Sequence, residues 1–292
     1  MGCIEKAFAM ARQRRGRIVM PEMEDERIAQ AAERLREQAL AEPLDLTAAR
    51  PAEEYLEVLE RARPGLKPTL ALKLLEKPLF KAAAMVAAGD ADALIAGALA
   101  PTRRVIEAAA MTVGMAEGIA TPSSFFLLRM PNGRELILAD CAVNVAPSVD
   151  ELCDIARATM HSAVALFGTA RIALLSFSTG SSGAGASVDL VRNAQTRLAA
   201  EGVPALGPIQ ADAALNPETA ARKGLGEVKA ANVLLFPSLD AGNIAYKLLQ
   251  ELGGAQAVGP FLQGFARPVC DLSRGASTDD IVAAAALTMA MA

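Results

Sequence analysis

The chain has 292 residues, 52% of them hydrophobic and 4% aromatic, with no tryptophan and a formal net charge of -4. That length and apolar content allow a large core and suggest about two domains. Lysines and arginines are scattered rather than clustered, which argues against a nucleic-acid footprint, and no apolar run reaches the roughly 18 residues of a membrane span.

The opening segment, MGCIEKAFAMARQRRGR, has no apolar stretch long enough for a signal peptide. Cys3, Cys141, Cys153 and Cys270 form no CxxC pair, so they read as reduced thiols rather than a disulfide framework or a zinc site. The expected setting is the cytoplasm. RIVMPE (17–22) reads as a strand, and DERIAQAAERLREQAL as the helix that follows it. Helical patterns recur at 55–62 and at PLFKAAAMVAAGD, which runs into a buried strand, ADALIAGAL. TRRVIEAAAMTVG is helical again.

From Ser123 the pattern changes. SSFFLLRMPNGRELILADCAV contains two strands joined at Pro131-Asn132-Gly133, a hairpin signal. The helix SVDELCDIARATMHSAVALFG places Leu152, Ile155, Ala156, Thr159, Ala163 and Leu166 on one face. Three strand-loop-helix units then follow, at RIALLSF, NVLLFPSLDAGNIAYKLLQEL and PVCDLSRGASTDDIV. The alternation predicts an α/β fold with the hairpin near 121–141 as the switch between two domains, 1–120 plus 266–292 and 121–265.

Two loops carry the groups suited to chemistry. SFSTGSSGAG sets hydroxyls and glycines between a strand and a helix, where Ser178, Thr179, Gly180 and Ser181 suit an anion at a helix N-terminus; a plain flexible loop is the competing reading. In LSRGASTDD, Arg274 suits a bidentate grip on phosphate or carboxylate, Ser273 can donate a hydrogen bond and Asp280 can accept a proton. Ser277 and Asp280 equally fit a capping box. Capping leaves Arg274 unexplained, because a cation opposes the dipole there unless it meets an anion. His161, the only histidine, lies opposite the apolar stripe of its helix and reads as a surface residue. The acidic run PEMEDERIAQ reads as a capped helix start rather than a metal site, and no metal is expected.

These stretches, in this order and spacing, resemble the phosphate acetyltransferase and phosphate butyryltransferase family over nearly the whole chain. RIVMPEMEDERIAQAA, LADCAVNVAPSVDELCDIA, ALLSFSTGSSGAGASVDLVR, VLLFPSLDAGNIAYKLLQEL and DLSRGASTDDIV carry the likeness. The resemblance implies two α/β/α domains of the isocitrate/isopropylmalate-dehydrogenase-like type with an active-site cleft between them, and a homodimer. It implies acetyl transfer between coenzyme A and phosphate through a ternary complex. Acetyl-CoA, CoA, phosphate and acetyl phosphate are then reactants, and no cofactor is held permanently. Catalytic roles fall on Ser273, Arg274 and Asp280, and substrate-binding roles on Arg61, Thr102, Ser124, Ser178, Thr179, Gly180, Ser181, Asn243 and Gln263. The chain departs from the pattern in a short 40–60 segment, in Glu107 where an arginine is usual, in Ala100 near a missing histidine and in Cys270 for an asparagine. Arg103 and Arg104 are the candidates to replace the missing cation. A longer-chain acyltransferase and a non-catalytic acetyl-CoA sensor, like the related domain of some malic enzymes, remain as alternatives.

Overall fold

In the computed structural model, which describes residues 2–292, the chain divides into two compact units, Met1–Pro122 with Val258–Ala292, and Ser123–Ala257. The first unit opens with α1 (Cys3–Arg14), β1 (Arg17–Val19), α2 (Glu26–Glu37), β2 (Glu42–Leu44), α3 (Leu56–Ala62), α4 (Pro68–Leu75), α5 (Pro78–Ala87), β3 (Ala93–Ala96) and α6 (Thr102–Thr112). The second holds β4 (Ser123–Arg129), β5 (Glu135–Ala139), α7 (Val149–Phe167), β6 (Ile172–Leu175), α8 (Ala186–Ala200), β7 (Ala205–Ile209), α9 (Ala211–Leu215), α10 (Pro217–Arg222), β8 (Val233–Leu235) and α11 (Leu239–Glu251). The chain then returns through β9 (Gln256–Gln263), β10 (Val269–Asp271) and α12 (Thr278–Met291).

In the first unit the strands run β2-β1-β3-β10-β9, all parallel except the antiparallel β9–β10 pair. That pair matches Leu262 with Val269 and Phe261 with Cys270, so the unit resumes at Val258, earlier than the 266 expected. In the second unit the order is β4-β5-β8-β6-β7, with an antiparallel β4–β5 hairpin and parallel neighbours beyond it. The hairpin turns at 130–133, where Gly133 has φ +81° and the Asn132 side chain accepts the Arg134 N–H at 3.0 Å. Within each unit the parallel strands therefore end on one edge, and the loops that leave those ends lie side by side.

Helix identities follow from their patterns. The stripe read on α7 is buried, its Ser148–Glu151 capping box is formed, and Gly168 closes it at φ +72°. His161 on the same helix is exposed. Ile281 to Ala290 of α12 are buried on every side, packed by α1 and α2, which is why that helix carries no polar face. Several elements have no counterpart in the sequence reading. Among them, β2 is three residues with a central proline, and β7 is interrupted by Gly207-Pro208.

The short segment after β2 is closed by one polar anchor. Tyr55 is fully buried; its hydroxyl donates to Asp90 at 2.7 Å and accepts the Arg50 N–H at 2.9 Å. Burial first, then the Asp90 bond, push its pKa up to about 12. Tyr55→Phe leaves Asp90 and the Arg50 N–H each short of a partner, so it should lower unfolding free energy by about 1–2 kcal/mol. Urea denaturation with an unchanged slope checks this, and an unchanged midpoint would show that the anchor carries nothing.

Candidate functional site

The residues singled out in the sequence fall into two groups, one in each unit, and most stand on the loops that leave the carboxyl ends of parallel strands. In the first unit those loops follow β1, β3 and β10. Glu22, just past β1, is buried and accepts the N–H groups of Gly97 (2.9 Å), Ala98 (2.9 Å), Leu99 (3.3 Å) and Ala100 (2.8 Å). One carboxylate thus satisfies four consecutive donors of the turn that follows β3. Gly97 has φ +105°, and a Cβ there would meet the Leu272 nitrogen at 2.7 Å, so β3 and β10 approach at a point that admits only glycine.

Arg27 performs the opposite task for the next loop. Its Nη1 donates to the carbonyls of Arg274 (2.7 Å) and Ala276 (2.9 Å), while Nε and Nη2 hold the Asp25 carboxylate at 3.0 and 2.7 Å. Hydrogen bonding to Arg27 keeps the Asp25 carboxyl below its ordinary range. Asp25 also caps α2 by accepting the Arg27 N–H, so the acidic run before α2 does open a helix. Among the described residues no group of three His, Cys, Asp or Glu side chains is placed to hold a metal.

With its backbone clamped in this way, the 273–276 turn exposes Ser273 and Arg274. The Ser273 Oγ accepts only the Gly275 N–H, at 3.4 Å, and the Arg274 guanidinium has no partner among the described residues. Ser277 and Asp280 form the capping box: Asp280 Oδ2 accepts the Ser277 N–H (3.0 Å) and hydroxyl (2.7 Å), and Ser277 Oγ accepts the Asp280 N–H (3.2 Å). Both contacts use one carboxylate oxygen, leaving Oδ1 without a protein partner. Thr102, the first residue of α6, donates to Asp271 at 2.5 Å, which ties α6 to the end of β10. Gln263 is buried at the end of β9. Arg61 is not joined to this group: it is exposed on α3 and pairs with Glu57 at 3.6 Å. Arg104, one candidate to replace the missing cation, is paired with Glu107 at 2.8 Å, and Arg103 is exposed. A cavity of about 440 Å³ opens beside these loops, lined by Glu22, Lys77, Phe80, Leu99, Ala100 and Arg104 among others.

In the second unit the loops follow β5, β6 and β8. Asp140, buried directly after β5, accepts the N–H groups of Ser124 (3.2 Å), Ala142 (3.1 Å), Val143 (3.3 Å) and Asn144 (2.8 Å), with the Ser124 hydroxyl and the Asn144 amide (2.6 Å). Asn243 on α11 donates to the Cys141 carbonyl at 3.0 Å, so Ser124 and Asn243 share one polar cluster. In the serine-rich loop Ser178 and Thr179 are buried. Ser178 Oγ meets Ser182 Oγ at 3.2 Å, and Thr179 Oγ1 accepts the Gln210 N–H at 3.1 Å. Gly180, at φ +57°, donates to the Pro208 carbonyl at 2.9 Å, and Ser181 is exposed. The loop is therefore braced from inside rather than slack. Gly185 supplies no side-chain cap to α8, and the Val188 N–H turns back to the Gly185 carbonyl at 3.0 Å.

Glu22, Arg27, Asp140 and Asp271 were not foreseen. Glu22, Asp140 and Asp271 are charged residues at or just past the end of an apolar strand, and that position is the signal that could have marked them; Arg27 stands in the first turn of α2, where no such signal exists.

The family model described as phosphate acetyl/butaryl transferase matches residues 46–289. A phosphate acetyltransferase of Clostridium acetobutylicum is 35% identical across 100% of this chain and 99% of its own length. That of Nitratidesulfovibrio vulgaris is 37% identical over 95% of this chain, which spans only 44% of that longer relative. A solved phosphotransacetylase from Streptococcus pyogenes superposes with a TM-score of 0.89 at 32% identity, covering 99% of this chain and 97% of the other. A 4-hydroxythreonine-4-phosphate dehydrogenase from Klebsiella pneumoniae shares the fold alone, at a TM-score of 0.51 and 14% identity over 98% of this chain and 85% of its own. A dehydrogenase-like α/β framework with phosphotransacetylase-type sequence over its full length places this chain in the phosphate acetyl/butaryl transferase family.

Proposed function

We propose that this chain is a phosphate acetyltransferase, moving acetyl reversibly between coenzyme A and inorganic phosphate. The observation that carries the reading is Arg274: an exposed, unpaired guanidinium on a turn whose carbonyls are fixed by Arg27. A cation so placed at the mouth of α12 adds to the positive end of the helix and is best satisfied by a bound anion. Among the described residues no helix is long and apolar enough to cross a membrane. The four free cysteines are buried thiols, which supports a reducing, cytoplasmic setting. A homodimer belongs to the same proposal; its support is the exposed row Ile244, Leu248 and Leu252 along one face of α11.

In the forward direction a phosphate oxygen attacks the thioester carbonyl, a C–O bond forms, the C–S bond breaks, and the departing thiolate takes up a proton. Arg274 holds the phosphate in a two-point fork, and the Ser273 hydroxyl donates to the oxyanion that develops at the carbonyl. The gain comes from positioning two bound reactants. In reverse the CoA thiol, with a pKa of about 8.5, has to lose its proton before it attacks acetyl phosphate. Asp280 is placed to orient or accept that proton through Oδ1 while Oδ2 keeps the cap.

Arg274→Gln should lower turnover by at least tenfold and raise the KM for phosphate, with the melting temperature unchanged. Full activity in the purified variant would remove Arg274 from the site, and rates with acetyl-, propionyl- and butyryl-CoA on the parent chain fix the acyl preference.

Asp280→Asn separates capping from catalysis. Asn retains a polar first-turn side chain, so loss of the cap alone would cost about 1 kcal/mol and leave rates near normal. The proposed role instead predicts a deep fall in turnover, greatest from acetyl phosphate at low pH, where least thiolate is present. Turnover equal to the parent at every pH would reduce Asp280 to a helix cap.

A further inference from the structure

Asp271 ends β10 with its side chain 1% exposed, and nothing in the proposed reaction uses it. Its two oxygens have unequal surroundings. Oδ2 lies 2.5 Å from Thr102 Oγ1, while Oδ1 is buried with no hydrogen-bond partner, in the space that a Cβ at Gly97 would enter. An ionised carboxylate leaves Oδ1 uncompensated there, whereas a neutral carboxyl group is far less costly to bury. Burial, followed by the charge of Glu22, raises the Asp271 pKa to about 7, although the Thr102 bond opposes the rise.

The surrounding charges are few, and most are engaged elsewhere. Glu22 is spent on the 97–100 N–H groups, and Arg27 on Asp25 and the carbonyls of the 274–276 turn. On α6, Arg104 is paired with Glu107 and Arg103 is exposed. On α12, Asp279 pairs with Arg34 and Asp280 with Ser277. Along β10 the Cys270 thiol is pushed up by burial and then by Asp271, and so stays neutral. β9 faces Asp271 with no charge. Arg274, on the turn that follows β10, is exposed, and Asp271 meets no cation by hydrogen bond or ion pair among the described residues.

We propose that Asp271 is a positioning residue that sets the direction of the Thr102 hydroxyl, and through it the grip on an oxyanion bound at the Ser273–Arg274 turn. As a carboxyl group it donates its own proton to Thr102 Oγ1, which turns the threonine hydrogen outward to the anion. As a carboxylate it draws that hydrogen inward, and the anion loses one donor. Thr102 is half-buried at the first position of α6, beside the end of β10 from which the Ser273–Arg274 turn leaves. The inference rests on the phosphate site proposed above.

Sulfate is the probe, because it stays a dianion from pH 6 to 8.5 while phosphate itself titrates. Its dissociation constant is measured by calorimetry on the full chain. Losing one hydrogen bond to an anion should weaken binding by about tenfold as pH rises through 7. Asp271→Asn, whose amide donates to Thr102 at every pH, should keep the acid-limb affinity throughout. Thr102→Val, which has no hydroxyl, should bind at the weak alkaline level throughout and decides the matter if the asparagine variant does not fold. A parental affinity flat with pH, or a parallel fall in the parent and either variant, overturns the inference. Absence of acetyl transfer with this pattern of sulfate binding intact would instead sink the proposed reaction and leave the Asp271–Thr102 device standing.

Discussion

The Glu22 carboxylate, taking four consecutive backbone donors, is the constraint on which the first unit's loops depend. Strands that end side by side deliver turns whose N–H and C=O groups have left the sheet but not the protein, and each needs a partner. Glu22 supplies one acceptor group for the turn after β3. Arg27 supplies the complementary donor for the turn after β10. An anion gathers donors and a cation gathers acceptors, so much of the backbone of both turns is met from outside them. Arg274 is left free, and Ser273 Oγ accepts the Gly275 N–H at 3.4 Å.

The second unit repeats the device with different residues. Asp140 gathers the N–H groups of Ser124, Ala142, Val143 and Asn144 after β5, with no cation needed. Gly242 lets α11 close on this segment: a Cβ there would run into the Asp140 carbonyl and come within 3.2 Å of the Cys141 sulfur. A helix so tightly seated fixes where Asn243 can reach. Distributed N–H groups neutralise a carboxylate without a fixed counter-ion, so these loops can present donors to a ligand instead of ion pairs.

What the sequence made legible was local. The α7 stripe, the Pro131–Gly133 turn and the Ser277–Asp280 box each lie within a few residues, where periodicity and capping chemistry are strong. The Ser273–Arg274 turn was legible because a cation before a helix contradicts the dipole. Asp271 stood two residues away, inside the same quoted stretch, and passed unnoticed. Its meaning depends on Thr102, 169 residues earlier, just as that of Arg27 depends on a turn 247 residues later. A strand of three residues with a central proline, such as β2, gives periodicity too little length to speak, and is defined by its parallel neighbour.

The greasy last helix and the polar turn before it explain each other. β10 lies inside the unit's strand order between β3 and β9, and α12 is buried on every side by α1, α2 and the sheet, so the turn joining them is held at both ends. A helix with one polar face could rock about its apolar stripe; one buried all round has no such freedom, and its N-terminus stays where the core puts it. The mouth of α12 thus has a backbone held in place, with the exposed Arg274 beside a first turn that carries Asp279 and Asp280. The apolar sequence of α12 in this sense holds the turn in place, although its side chains from Ile281 to Ala290 are all buried.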